Sequence, residues 1–576
     1  MSSYTYTVVA MYIESVPNRN SPPAILLRES RRVGKKVLKK TVANISAWPK
    51  PKIDSLRRLL RDEILVSPND LFAVTSSRPY GHVRAVLGTL RRLQLDSILA
   101  SQPCRERDLV VAMIVERILF PGSKLATTRS WSCSTLAEEL GVSGADENEL
   151  YAALDWLLAR KARIEKKLAA KHLAPDSPVL YDISSSFYYG HTCPLARHGK
   201  DRDGKKGLPI IVYGVLTEAQ GRPIAADIYP GNTGDPSTVP DQAHKIQHKF
   251  GLRSVVLVGD RGMLTQTQLD KLRDYPGLGW ISALRSGSIR KLLEEGLLGR
   301  SLFDEHNLAE ISSPDFPGER LIACFNPLLA GERRRKRNEL LAATEKDLAN
   351  IAREVQRRTH TPLTAAMIGV KAGRKVNRFK MAKHFDLKIK DGLFEFARKQ
   401  QAIAEEEQLD GYYVIRTSEP LPRLSPEDAV RGYKSLAQVE RAFRCLKGVD
   451  LMVRPIYLHT ADHVRAHIFL CLLAYYVEWE MRSCLAPLLF ADEELAQARK
   501  VRDPVAPAVP SKSAKEKRNS HLTAEGLPVH SFRTLLQELR KQCKNTCMVK
   551  GEPGASFERI TDPDPVQARA FQLLGL

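Results

Sequence analysis

The chain has 576 residues, enough for about three or four domains at roughly 150 residues each. Hydrophobic residues at 43% and aromatics at 7% exclude wholesale disorder, and 34 Gly with 34 Pro exclude a collagen-like or linker-like chain. The excess of 88 basic over 66 acidic residues, a net charge of +22, points to an anionic partner, most often nucleic acid.

Nine cysteines lie scattered, an odd number without framework spacing, as in a reducing compartment with free thiols. Cys543 and Cys547 are close, but no second pair completes a zinc site. The first residues lack the basic region, apolar core and cleavage site of a leader, and the longest apolar run, residues 468–477, is too short to span a bilayer. The expected location is the cytoplasm, on the nucleoid, with no membrane partner.

Residues 1–60 read as a basic, strand-rich region with a role in DNA contact. AILLRES and KVLKKTVANIS alternate as a strand pair with Gly34 in the turn. Lys35, Lys36, Lys39 and Lys40 either touch a DNA backbone or guard an open sheet edge. Residues 61–175 read as a helical domain. YGHVRAVLGTLRRLQL and RERDLVVAMIVERILF carry apolar residues at helical spacing, and Pro121 stops the second. Thr135 with Glu138 fits a capping box. TLAEELGV and the helix after it resemble a helix-turn-helix opening. Leu150, Tyr151, Leu154, Leu157 and Leu158 favour a packed core helix there instead.

From residue 178 the pattern becomes three short strands, a helix, a strand, a helix and a strand. The first three are close enough for an antiparallel meander, and the helix before SVVLVGD permits a parallel crossover. The expected fold class is α/β multidomain. An RNase H-like catalytic core, a mixed sheet with flanking helices, takes residues 176–289 and 411–490. An insertion at 290–410 interrupts it, with a basic cluster at 333–337 and a long helix whose apolar face is Leu341, Leu348, Ile351 and Val355. A strand returns at GYYVIRTS, then a helix at about 434–447 and an apolar helix at 462–482. Residues 491–576 read as a C-terminal region for dimer or DNA contacts, with an exposed linker at 500–520.

Three carboxylates carry the chemistry. Asp182 follows an apolar run in YDISSS, and Asp260 ends SVVLVGD beside Gly. Such acids sit at a sheet rim, where α/β sites gather. Glu440 lies in the helix YKSLAQVERAFRCLK, and Tyr433, Glu440 and Lys447 are spaced by seven, within about 20° of one stripe. Arg444 lies one turn beyond Glu440. By itself this is also an ordinary i,i+4 pair on a solvated helix; Asp182 and Asp260 supply the rest of a cluster. Phosphodiester hydrolysis needs an activated water and a stabilised alkoxide, which two Mg²⁺ ions about 3.5–4 Å apart provide. A few carboxylates hold them, because Mg²⁺ prefers oxygen and keeps several waters. Arg261, beside Asp260, is a phosphate partner or structural. Trp280 reads as strand core rather than a base-stacking platform. His191, Cys193 and His198 are weak zinc candidates, and Ser184, Ser185 and Ser186 lack His and Asp partners for nucleophilic chemistry.

These residues resemble the insertion-sequence DDE transposases of the IS-four superfamily, whose third acid lies in a Y-(2)-R-(3)-E-(6)-K signature. Tyr433, Glu440 and Lys447 occupy its Y, E and K positions; Leu436 stands at the R position, a departure that Arg444 or Arg441 could compensate. YIESVPNRNSPPAILLRES, YPGNTGDPST, VGDRGM, WISALR, DGYYVIRTS and RPIYLHTADHVRAH resemble one subgroup, the sixteen-thirty-four type, over almost the whole chain. The resemblance implies that Asp182, Asp260 and Glu440 are catalytic and hold two Mg²⁺, with Mn²⁺ as substitute. It implies that Tyr433, Lys447 and Arg444 bind DNA phosphate. It also implies double-stranded DNA partners, transposon ends and target, and a homodimeric synaptic complex. Two other readings stay open: a non-catalytic DNA-binding derivative or repressor, which Leu436 favours and the intact acids oppose, and a metal-dependent nuclease without strand transfer.

Overall fold

The structure is a computed structural model that describes residues 9–19, 21–33, 36–63, 71–205, 207–550 and 555–576. It divides into two units, residues 1–78 with 544–561, and residues 79–543 with 562–576. No helix among the described residues is long and apolar enough to cross a membrane.

In the first unit, strands β1 (Val9–Val16), β2 (Ala24–Val33) and β3 (Lys36–Asn44) form an antiparallel sheet in that order. The expected strand pair is present, with Leu26 opposite Asn44 and Val33 opposite Lys36. Gly34 and Lys35 lie outside the described residues. Every residue of β3 is exposed, so this edge strand has no core face. Strand β4 (Phe72–Pro79) pairs into a second sheet with Cys543–Val549, which carries Ser556–Ile560 on its other edge.

The second unit is built on an eight-stranded sheet. Its strands are β5 (Pro178–Phe187), β6 (Ile210–Glu218), β7 (Pro223–Pro230), β8 (Val255–Val258), β9 (Leu278–Ala283), β10 (Leu308–Ile311) and β11 (Arg320–Phe325). A hairpin, β12 (Phe385–Lys390) with β13 (Leu393–Arg398), stands apart, and β14 (Tyr412–Thr417) completes the sheet. The order is β10-β11-β14-β9-β8-β5-β6-β7. β5, β6 and β7 form the expected antiparallel meander; β8 runs parallel to β5, and β9 parallel to β8. A large mixed sheet in this order is consistent with an RNase H-like core. β6 is buried at every position but its last, so both faces of the sheet centre must be covered. The helix Leu436–Lys447 packs on β5, and Ala461–Cys484 packs on β7 and on the helices Arg105–Leu119 and Glu147–His172. Ala461–Cys484 is apolar all round and is buried accordingly.

Charge is also buried beside β7. Lys161 lies 2.7 Å from Glu165 and 3.6 Å from Asp227, while Lys245 lies 3.3 Å from Glu165 and also pairs with Asp227. Two cations and two anions cancel, which makes their burial tolerable. Burial pushes the Asp227 carboxyl up, but Lys245 and Lys161 outweigh it and hold the group at about 2.

Residues 290–410 do two things. β10 and β11 lengthen the main sheet through β14. The helices Pro327–Arg357 and Ala365–Arg378 and the β12–β13 hairpin enclose a separate core, which includes Leu341, Leu348, Ile351 and Val355. Of the basic cluster, residues 333–336 are exposed, whereas Arg337 turns inward to Asp410.

Two local expectations change. Thr135 does not cap a helix: its backbone is already helical at φ −87° and its buried hydroxyl has no partner among the described residues. The capping box is one element later, where Asp146 Oδ1 accepts from the Glu149 amide at 2.9 Å and Glu149 Oε2 accepts from the Asp146 amide at 3.3 Å. It opens the 26-residue helix Glu147–His172, which buries Leu150, Leu154 and Leu157 as a core helix does. The 500–520 stretch is not simply an exposed linker. Val505 is buried, and Lys517, in the helix Lys512–Ser520, donates to the carbonyls of Ala486, Leu489 and Ala491 at 3.1–3.3 Å. A polar composition hid a lysine that serves as an internal donor.

Asp146→Ala should therefore lower stability by about 1 kcal/mol, the usual loss for an N-cap. Thr135→Val should leave it unchanged, because the hydroxyl it removes bonds nothing. Thermal melting of both variants checks the contrast.

Candidate active site

The site begins with strand register. Leu180 of β5 lies opposite Val258 of β8 in a parallel pair. Asp182 and Asp260 each follow those residues by two. Asp182 therefore lies within β5 and Asp260 two residues past the end of β8, close enough for the Asp260 charge to act on the Asp182 carboxyl. β8 ends at Val258, and the chain turns at once: the Asp260 carbonyl accepts from the Met263 and Leu264 amides at 2.9 and 3.0 Å, and its Oδ2 accepts from the Gly262 amide at 3.4 Å. Asp260 is exposed and Asp182 partly buried.

The two acids and Glu440 feel one another. Burial pushes the Asp182 carboxyl up to about 6, and the charges of Asp260 and Glu440 add to it, against the Ile183 amide and Arg202. Asp182 Oδ1 accepts from that amide at 2.7 Å. Glu440 comes from the helix packed on β5, is exposed, and has Arg444 Nη1 3.8 Å away.

The expected single helix at 434–447 is two helices, Pro426–Lys434 and Leu436–Lys447, joined at Ser435. The Ser435 hydroxyl donates to the Arg431 carbonyl at 2.9 Å, a back-bond that bends helices. The three signature side chains therefore have different partners. The Tyr433 hydroxyl donates to Asp260 Oδ1 at 3.2 Å; burial, then Asp260, raises its pKa and keeps it a donor. Lys447 is largely buried, 2.9 Å from Asp203, which is also 2.7 Å from Arg454. Asp203 comes from the β5–β6 connection and was not singled out in sequence; the alternating charges of DRDGK were the available signal.

Leu436 is partly buried and packs against the core. Arg441 is exposed and faces elsewhere, close enough to Tyr475 to oppose the rise that burial gives its pKa and close enough to Arg499 to add to the fall in its pKa. Arg261 is exposed and lies near enough to Tyr433 to oppose its rise. Lys36, Lys39 and Lys40 belong to the other unit and are exposed; Lys39 lies 3.5 Å from Glu14 and over the Tyr12 ring. Lys35 is outside the described residues. Trp280 is buried strand core with Arg416 over its ring, and Ser185 and Ser186 are fully buried.

Among the described residues, neither Asp182 nor Asp260 has a salt-bridge partner, whereas Glu440 has only the long contact to Arg444. An all-oxygen donor set with uncompensated negative charge suits a hard divalent cation. The acids' ligand atoms do not all lie within 4.8 Å of one another; the group that does is Cys445, Asp450 and Glu478. That cluster already holds Arg482, 2.6 Å from Glu478 and 3.0 Å from Asp450, so its charge is answered from within.

Residues 186–477 match the family described as the transposase DDE domain. The matched span takes in Asp260, Tyr433, Glu440 and Lys447 and begins just after Asp182. Among solved structures, the chain is similar to a piggyBac transposase seen by cryo-EM in a synaptic complex with hairpin DNA. The identity is 8%, covering 80% of this chain and 78% of that one, with a TM-score of 0.32. No curated protein sequence matches the chain.

The raised Asp182 pKa has a sign. Between its ordinary value near 4 and about 6 the folded state binds the proton that the unfolded state has lost, so stability falls as pH rises through that window. In metal-free buffer the wild type should lose on the order of 2–3 kcal/mol relative to Asp182→Asn between about pH 4 and pH 7. Melting curves of both proteins across that range measure it.

Proposed function

We infer the activity from one premise: the chain belongs to the transposase DDE domain family. It is a DNA transposase that cuts a mobile element at its terminal inverted repeats and joins the freed 3′ ends to target DNA. The observation that carries this reading is the nearness of three acids, Asp260 and Glu440 both acting on the Asp182 carboxyl by their charge, with no salt-bridge partner on Asp182 or Asp260 among the described residues.

These three acids would hold two Mg²⁺, for which Mn²⁺ would substitute; bound there, the ions would supply an activated water and stabilise the departing 3′ oxygen. Asp182 must give up its proton, held at about 6, before it can ligate. Tyr433 fixes the Asp260 carboxylate by a hydrogen bond. Arg444, beside Glu440, takes the phosphate grip that an arginine at position 436 would exert, with Arg261 as a further phosphate partner. Lys447 reaches DNA phosphate only by exchanging its Asp203 partner. The chain is assigned to the IS-four superfamily on Tyr433, Glu440 and Lys447, and to its sixteen-thirty-four type on the stretches from YIESVPNRNSPPAILLRES to RPIYLHTADHVRAH. The basic strand β3 contacts the DNA backbone, residues 61–175 bind the element's ends, and residues 491–576 serve a homodimeric synaptic complex.

Asp182→Asn, Asp260→Asn and Glu440→Gln should each abolish cleavage of labelled end DNA in Mg²⁺ while leaving DNA binding largely intact, because they remove charge stabilisation at the reacting step. Near-normal cleavage by one of them would eliminate that residue. In the same single-turnover assay Arg444→Ala should cost about 1–3 kcal/mol, and Arg441→Ala much less.

Binding to the ends should weaken steeply with salt through counterion release. Replacing Lys35, Lys36, Lys39 and Lys40 with Ala should reduce the slope of log K against log salt by about 0.9 for each phosphate these lysines neutralise. An unchanged slope would return these lysines to the role of guarding a sheet edge.

A further inference from the structure

A cleft of ≈ 320 Å³ opens where the helices Arg105–Leu119 and Lys124–Ser130 meet residues 452–459. Pro121, Met452, Ile456 and Leu458 make much of its wall apolar, yet three cations line it: Arg117, Lys124 and Arg454. Among the described residues, no carboxylate does. Arg454 is answered by Asp203 at 2.7 Å. The other two are not answered. Lys124 is 5% exposed and has no hydrogen-bond or ion-pair partner among the described residues. Arg117 is 6% exposed; its Nη2 donates to the Gly122 carbonyl at 2.9 Å, and its Nε has no acceptor.

The surroundings do not supply the missing charge. Glu116 bonds Ser130, and burial pushes its carboxyl up to about 7 against Ser130 and Arg117, so at neutral pH it answers Arg117 only in part. His467 and Cys471 are buried beside the cations; burial lowers the first pKa and raises the second, so both stay neutral. Burial, then Arg117, brings Lys124 down to about 7. Two adjacent cations in a low-dielectric wall are costly alone, and one anion between them relieves both. Two aromatic rings also line the cleft. Tyr151 stacks on His463 at 5.0 Å, and Tyr457, 61% exposed, stacks on Tyr189 at 5.7 Å.

We propose that this cleft is a second phosphate site, which takes a nucleoside monophosphate unit with its phosphoryl oxygens on Lys124 and Arg117 and its base against the Tyr457 and Tyr151 rings. The unit is either a free nucleotide or one nucleotide of a single strand; the chemistry is the same. The inference does not depend on the three acids.

Isothermal titration of the full-length protein in EDTA, with inorganic phosphate, thymidine monophosphate and a short oligothymidine, tests it. Phosphate should bind weakly and the monophosphate about tenfold more tightly, as expected for one stacked base. Lys124→Met should lose about tenfold or more for every ligand that enters the cleft. Without ligand, this variant should melt no lower than wild type, because it removes an unpaired buried charge. Tyr457→Ala, at an exposed position, should erase the advantage of the monophosphate and keep phosphate binding. Binding of the monophosphate identifies a free-nucleotide pocket; Lys124-dependent binding of the oligonucleotide alone identifies a strand site. The proposal is overturned if Lys124→Met binds all three ligands like wild type, or if Asp260→Asn, and not Lys124→Met, removes the binding.

Discussion

The parallel pairing of β5 with β8 is the constraint on which the candidate site depends. Leu180 opposite Val258 brings Asp182, two residues on within β5, near Asp260, two residues past the end of β8. A slip of one residue in β5 would turn the Asp182 carboxylate to the opposite face of the sheet. The register is strongly specified, because β5 is buried at nearly every position and β8 at all four. Apolar packing on both faces thus pays for the placement of two acids that repel each other. The third acid arrives by the same means: Val439, Ala442, Phe443 and Leu446 bury one side of the Leu436–Lys447 helix, leaving Glu440 on the other.

Charge is handled in two ways in this unit. Beside β7, the anions Glu165 and Asp227 are buried with Lys161 and Lys245, and Cys445, Asp450 and Glu478 enclose Arg482. Those clusters are closed, with each ionised carboxylate answered by a cation from the chain. Asp182, midway along β5 rather than at its end as expected, and Asp260, just past β8, are left without an ion pair, with arginines near but not on them. An open anionic cluster flanked by exposed cations suits a metal and a polyanion together, since the ion neutralises the acids and the arginines meet the phosphates.

Much of this was legible along the chain. The order of strands and helices from residue 178 onward matches the sheet that forms, because strands buried on both faces are written as continuous apolar runs. Asp182 and Asp260 were conspicuous as acids that break or end such runs. The seven-residue spacing of Tyr433, Glu440 and Lys447 was equally visible, but it implied one stripe on one helix. The break at Ser435, whose hydroxyl bonds back to the Arg431 carbonyl, is one that periodicity does not register. Thr135 and Asp146 both begin acceptable capping patterns, and only the backbone at each decides which one caps.

By itself the sequence determined the basic charge and the strand and helix alternation, and it singled out the three acids of the candidate site, since composition and hydrophobic period are local properties. The tertiary structure alone decided that β10 and β11 join the sheet while the rest of residues 290–410 forms its own core. It also decided that Lys447 is held by Asp203, 244 residues away, and that Arg117 and Lys124 face a cleft without an anion. Those outcomes are set by which distant side chains share a buried space. No spacing along the chain encodes that, because the loss of water and the pairing of charge happen only when the elements meet.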